Sequence, residues 1–162
     1  MNIDVKILSA FISVIFSVLT FLLFHLYIEP RKAKRNLKME QYKNLYAPLY
    51  SMIISSVNVA KEESIRDRCI YLGYTSERTY LSTQDIEQFI FKNAGFASIE
   101  LIEATKDLAS TFDEIKKGVE QKLVEVTVKD YNQLRYELGM EYNKAELDTG
   151  IPDVIKEFRG VS

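Results

Sequence analysis

The stretch ILSAFISVIFSVLTFLLFHLYI occupies residues 7–28 and carries no formal charge over its 22 positions. Glu29 and Pro30 close it, and Arg31-Lys32-Ala33-Lys34-Arg35 follows at once. At about 1.5 Å per helical residue, such a run covers the roughly 30 Å hydrocarbon core of a bilayer. In lipid, a helix is the one single-segment structure that pairs all of its own backbone N–H and C=O groups. The stretch therefore reads as a transmembrane helix. A cleaved secretory signal fits worse, because its apolar region would be about 7–15 residues, with basic charge before it and small residues at a cleavage site after it. Here only Lys6 and the amino terminus precede the run, and the basic cluster lies on the far side. A buried helix of a soluble core would show a polar face, and this one offers only Ser9, Ser13, Ser17, Thr20 and His25.

The flanks set the expected orientation. Positive residues resist translocation, so Arg31, Lys32, Lys34, Arg35 and Lys38 hold the C-terminal side in the cytosol. The expected partition is a short extracytoplasmic N-terminus at 1–6, a span at 7–29, a basic juxtamembrane collar at 30–43 and a cytosolic domain at 44–162. That places the protein in the cell membrane as a single-pass chain, with the lipid bilayer and its anionic headgroups as first partners. The five collar cations are the expected membrane-surface contacts, and Tyr27 sits where an aromatic-belt residue would meet the headgroups. Cys69 is the one cysteine, so no internal disulfide forms, consistent with a reducing compartment.

Charge divides the chain further. Residues 31–43 hold six basic side chains against Glu40 alone, whereas 44–162 hold 14 basic and 20 acidic. An acidic domain is a poor phosphate-backbone binder, so no nucleic-acid partner is expected.

Past the collar the apolar spacing is helical. Leu45, Leu49, Met52, Ile53, Val57 and Ala60 recur at steps of three and four and predict a helix over roughly 32–70. Pro48 either kinks it or starts a new helix in its own first turn. Gly73-Tyr74-Thr75-Ser76 opens a connection, and Ser82-Thr83-Gln84-Asp85 resembles a capping box before Ile86, Phe89 and Ile90. Asn93-Ala94-Gly95 closes that short helix in the Asn/Gly manner. A long helix is then expected over about 97–126, facing inward through Ile99, Ile102, Leu108, Phe112, Ile115, Val119, Leu123 and Val126. Thr127 with Asp130 reads as the cap of another helix to about 146, with Tyr131, Leu134, Leu138 and Tyr142 inward. VEVTV at 124–128 is the one place where a strand competes. Asp148-Thr149-Gly150-Ile151-Pro152 ends that helix, and Val154, Ile155 and Phe158 form a last turn against the core. The expected fold class is all-α: one N-terminal transmembrane helix, then a cytosolic antiparallel helical bundle.

Chemistry is read mainly by subtraction. His25, the only histidine, lies in the apolar run. Ser-His and Cys-His nucleophile pairs, histidine zinc sites and the Glu-x-x-His pattern of di-iron bundles are therefore absent downstream. Glu100, Glu103 and Asp107 read as a solvated face, Cys69 lacks a partnering base, and no glycine-rich phosphate loop exists. No catalytic, cofactor or metal residue is expected.

Three patterns suggest interaction. Ser9, Ser13, Ser17 and Thr20 fall within about an 80° arc at 100° per residue, a candidate helix–helix interface for a homo-oligomer. Tyr42, Tyr46 and Tyr50 form a row at four-residue steps, which is either core packing or a partner surface. The connection YLGYTSERTYL at 71–81 adds three tyrosines and Arg78.

The segment Asn44-Leu45-Tyr46-Ala47-Pro48-Leu49-Tyr50, after an apolar span and a basic collar, resembles small bacterial and prophage-encoded membrane proteins. Their first cytosolic helix carries a comparable Leu-Tyr-x-Pro-Leu stretch. The resemblance covers about residues 7–57 and implies a bacterial or phage setting without specifying chemistry. The expected function is a membrane-tethered, non-catalytic helical interaction module with a membrane or cytosolic protein partner. The alternatives are a phage or host interference factor of the exclusion or abortive-infection type, and an enzyme whose site has no recognisable motif.

Overall fold

The computed structural model describes residues 5–73, 82–110 and 118–160. Among these residues the chain is all-helical, with no strand. It divides into two compact units, Met1–Leu37 and Lys38–Ser162.

The first unit contains α1 (Val5–Leu23), a π-helical turn (Phe24–Ile28) and the start of α2 (Glu29–Gln41). A helix near the N-terminus is long and apolar enough to cross a membrane. A second π-helical turn, Tyr42–Tyr46, leads into α3 (Ala47–Val59). Both π-turns end two residues before a proline, Pro30 and Pro48. Proline supplies no N–H, and its ring collides with the carbonyl four residues back. Widening the turn by one residue relieves that collision: Glu29 N–H bonds to Phe24 O, and Ala47 N–H to Tyr42 O, each five residues earlier. Helical structure thus passes Pro48, which sits in the first turn of α3.

The inward stripe of this segment is the expected one. Leu45, Leu49, Ile53 and Val57 are fully buried, and Ala60 nearly so. The helix does not reach residue 70, however. It turns at Ala60 into α4 (Lys61–Asp67), which ends on Arg68 in the left-handed region at φ +51°. Residues 70–73 then run back along α3, where other partners replace helical hydrogen bonds. Tyr71 N–H bonds to Ser64 Oγ, Leu72 N–H to Glu120 Oε2, and Gly73 N–H to Ser56 O. Contact with α3 is so close that a Cβ on Gly73 would lie 2.8 Å from the Ala60 nitrogen. The tyrosines of the 74–81 connection lie outside the described residues.

The capping box is present as read. Ser82 accepts from Asp85 N–H, Asp85 returns the bond, and α5 (Thr83–Lys92) follows. Its end differs: Asn93 is not left-handed, and a 3₁₀ turn, Ala94–Phe96, continues from it. The single helix expected over 97–126 is two elements, α6 (Ile99–Ser110) and α7 (Val119–Leu138). Gly118 at φ +89° opens α7. Leu108 and Leu123 are buried as expected, but Leu101 and Ala104 are buried too while Ile99 is 72% exposed. Phe112 and Ile115 lie outside the described residues.

Thr127 and Asp130 cap nothing, because α7 passes straight through them and through the β-branched VEVTV. Leu123, Val124, Thr127 and Val128 are fully buried. Two turns of buried contact outweigh β-propensity, which measures packing as much as backbone preference. Gly139, left-handed at φ +72°, stops α7, with Met140 N–H bonding back to Arg135 O. Asn143 then caps α8 (Lys144–Thr149), Gly150 ends it, and a 3₁₀ segment, Asp153–Gly160, buries Ile155 completely.

Candidate functional site

Two of the polar residues that the second unit buries, Asn132 and Glu146, meet where α7 faces the tyrosine-bearing helix and α8. Three tyrosines four residues apart share a helix face, and all three turn toward α7. Tyr46 is 3% exposed. Its hydroxyl donates to Asp130 Oδ2 (2.9 Å) and accepts from Ser98 N–H (2.9 Å), while Ser98 Oγ donates to the same carboxylate oxygen (2.6 Å). Burial, seconded by the Asp130 charge, pushes the Tyr46 phenol up to about 12. Burial likewise raises the Asp130 carboxyl, against the opposing pull of its two hydroxyl donors.

Tyr50 and Tyr131 stack with centroids 3.9 Å apart and planes 10° from parallel, and Tyr42 also stacks with Tyr131, at 5.7 Å. Arg135 Nη1 donates to both the Tyr131 and Tyr42 hydroxyls (2.8 and 3.1 Å), and its Nε donates to the Glu141 carbonyl. Tyr50 points at Glu146, which is 2% exposed and accepts from three donors. These are the Tyr50 hydroxyl (2.9 Å to Oε2), Asn132 Nδ2 (2.9 Å) and Asp153 N–H (2.9 Å). Burial first, and then the Glu146 charge, raises the Tyr50 phenol well above its ordinary range.

Of Tyr42, Tyr46 and Tyr50, only Tyr46 is buried, while Tyr42 and Tyr50 are half-buried and keep some open surface. The row packs against α7, and pairing there satisfies hydroxyls that burial would otherwise strand. An open cleft of about 520 Å³ lies beside the stack, with Tyr50, Tyr131, Arg135, Lys144, Glu146 and Asp153 among its walls. A second cleft of about 680 Å³ lies between Ile65, Arg68, Phe158 and Arg159. In the first cleft the Glu146 oxygens are occupied, and the Tyr50 phenol, raised by burial, holds its proton to high pH. Among the described residues no group of three or more His, Cys, Asp or Glu side chains is placed to hold a metal.

In the first unit, Ser17 Oγ donates to Ser13 O (2.9 Å) and Thr20 Oγ1 to Phe16 O (2.8 Å), so these hydroxyls are satisfied within their own helix. His25 bonds the Glu29 carboxylate one turn on and packs edge-on to Phe21. Among the collar residues, Arg31 lies over the Tyr27 ring and donates to its hydroxyl (2.6 Å). Lys38 instead pairs with Glu137 (3.0 Å) inside the second unit. Cys69 is half-buried and unbridged. Glu100, Glu103 and Asp107 are exposed.

Sequence reasoning missed Glu146, Asn132 and Glu120. A signal existed for the first: Asn143-Lys144-Ala145-Glu146 has the spacing of a helix start, and Asn143 Oδ1 does accept from Ala145 and Glu146 N–H. Comparison with protein-family models, with curated proteins and with solved structures finds no match to this chain.

Proposed function

We propose that the chain is a single-pass protein of the cell membrane, with its N-terminus outside. Its cytosolic domain, an antiparallel helical bundle, works by binding another protein and performs no catalysis. One observation carries the reading: fourteen large apolar or aromatic side chains within residues 11–28 are each 41–73% exposed. A soluble chain tolerates exposed apolar patches of a few hundred Å² at most, so this surface needs lipid. The positive flank at 31–38 supports the inward orientation.

Binding is favoured over chemistry because the buried ionisable groups are committed to each other. Asp130 and Glu146 bridge helices, whereas Phe91, Ile99 and Tyr136 are open at 50–72% on the outside of the domain. Likeness in the Leu45-Tyr46-Ala47-Pro48-Leu49 segment favours a bacterial or prophage setting. The test joins alkaline extraction to topology reporters fused after Ser162. The chain stays in the membrane pellet, a cytoplasm-dependent reporter is active and an export-dependent one is silent. Extraction into the supernatant, or activity of the exported reporter, would overturn the reading.

A further inference from the structure

The geometry points to a binding site for the phosphate of an anionic phospholipid, formed by Arg31, Lys34 and Arg35 at the C-terminal end of the span. This site rests on the membrane reading above. From Glu29 onward α2 is regular helix, so each residue turns by about 100°. Arg35 then lies about 40° to one side of Arg31 and Lys34 about 60° to the other, placing three cations on one face. The two acids of α2, Glu29 and Glu40, fall about 160–180° away from Arg31, on the opposite face. Glu29 is moreover engaged by His25. No carboxylate of this helix therefore competes for the basic face.

Height along the helix is set as well as direction. Tyr27 is next to last in the apolar run, and the Arg31 guanidinium lies 3.8 Å from the centre of its ring while donating to its hydroxyl. That contact holds Arg31 toward the span, at the level where lipid phosphates lie, with other N–H groups of its planar fork still available. Arg35 is one turn further, about 6 Å along the axis, within reach of the same headgroup. Lys34 and Arg35 are exposed and have no ion pair among the described residues. Lys38 would extend the face but is held by Glu137 and stays outside the site. The occupant is a lipid because the cations begin three residues beyond the apolar run, where a tethered phosphate is present at high local concentration.

The experiment uses the purified full chain in symmetric phosphatidylcholine vesicles, so that either insertion direction presents the site to the same lipid. Flotation first reports insertion. Spin-labelled phosphatidylglycerol and spin-labelled phosphatidylcholine are then compared by the fraction immobilised against the protein. The wild-type chain prefers phosphatidylglycerol by roughly fivefold, one cation's worth of surface attraction. The triple variant Arg31→Gln, Lys34→Gln, Arg35→Gln falls toward equal association, while the equal-charge control Lys92→Gln, Lys106→Gln, Lys129→Gln keeps the preference. Equal association by a wild-type chain that floats, or an equal loss in the control, overturns the site and leaves the anchor standing. A wild-type chain that does not float with phosphatidylcholine overturns both.

Discussion

Replacing Glu146 by Gln keeps the size of the side chain and changes only what its terminal atoms can do. In the native domain Oε2 accepts from the Tyr50 hydroxyl and Asn132 Nδ2, and Oε1 accepts from Asp153 N–H, all at 2.9 Å. An amide has a single acceptor oxygen. If its nitrogen takes the Oε1 position, it faces the Asp153 N–H donor; if it takes the Oε2 position, it faces Asn132. Either way a donor meets a donor in a site where Glu146 is 2% exposed, and the bonds that survive lose their charge assistance. Hydrogen bonds to a charged group contribute about 1.5–3 kcal/mol each, so one lost and two weakened should cost about 3–4 kcal/mol. Tyr50→Phe removes one donor and leaves the carboxylate two others, for a smaller cost of about 1–2 kcal/mol. Against a domain stability of about 5–15 kcal/mol both losses are measurable. The assay is urea unfolding of the full chain in mild detergent, followed by near-ultraviolet circular dichroism, which reads the tyrosines because the chain has no Trp. A Glu146→Gln variant within about 0.5 kcal/mol of wild type, or a Tyr50→Phe variant that costs more than it, would refute the clasp.

Asp130→Asn should behave differently. Burial raises the Asp130 carboxyl above its ordinary 3.8, so its contribution to folding is fullest at acid pH and lost as pH rises through the folded value. The Asn variant keeps an acceptor for Tyr46 and Ser98. It should stay within about 1 kcal/mol of wild type and gain on it from acid to neutral pH; a constant difference across that range would contradict the argument. Tyr46, raised from 10.0 to about 12, contributes stability fully present below pH 10 and lost as pH climbs through about 12. Urea midpoints of wild type should therefore fall more steeply over that interval than those of Tyr46→Phe, and parallel curves would remove the burial effect. Gly150 combines φ +74° with a Cβ position 2.9 Å from Glu125 backbone and side-chain atoms, whereas Gly118 at φ +89° faces open space. Thermal melts should show Gly150→Ala costing well beyond the roughly 1 kcal/mol of left-handed strain expected for Gly118→Ala; equal costs would mean the α7–α8 approach is loose. In the span, Ser13→Leu with Ser17→Leu should weaken transmembrane self-association in a reporter assay, while Ile12→Leu with Val14→Leu should not. Because the Ser17 and Thr20 hydroxyls already bond within their own helix, the effect is steric, and identical behaviour of the two pairs would reject the serine stripe as an interface.

The legible parts of the chain were those governed by local chemistry. The Ser82/Asp85 box needs only four residues to form, and the Leu45–Val57 stripe needs only helical repeat, so both could be read from spacing. Break points were harder. Thr127 and Asp130 have the spacing of a cap, yet in the folded chain Thr127 is buried mid-helix and Asp130 serves Tyr46 and Ser98. Conversely, Gly118 at φ +89° opens α7 at a point where the apolar spacing would have carried a helix straight through. The candidate site was half legible: the tyrosine row was visible as a helix face, but the residues its hydroxyls meet depended on α7 and α8.

By itself, then, the sequence determined the helical class, the apolar run before the basic collar, and the absence of histidine chemistry beyond residue 25. Each follows from composition or from a periodicity within one element. Only the tertiary structure decided that Tyr42, Tyr46 and Tyr50 turn toward α7, that Glu146 gathers donors from α3, from α7 and from the chain just after α8, and that Lys38 is taken by Glu137. These are pairings between residues up to 99 positions apart. Hydrogen-bond and ion-pair partners are chosen by which surfaces meet once apolar burial has set the helix packing, and no local pattern encodes that meeting.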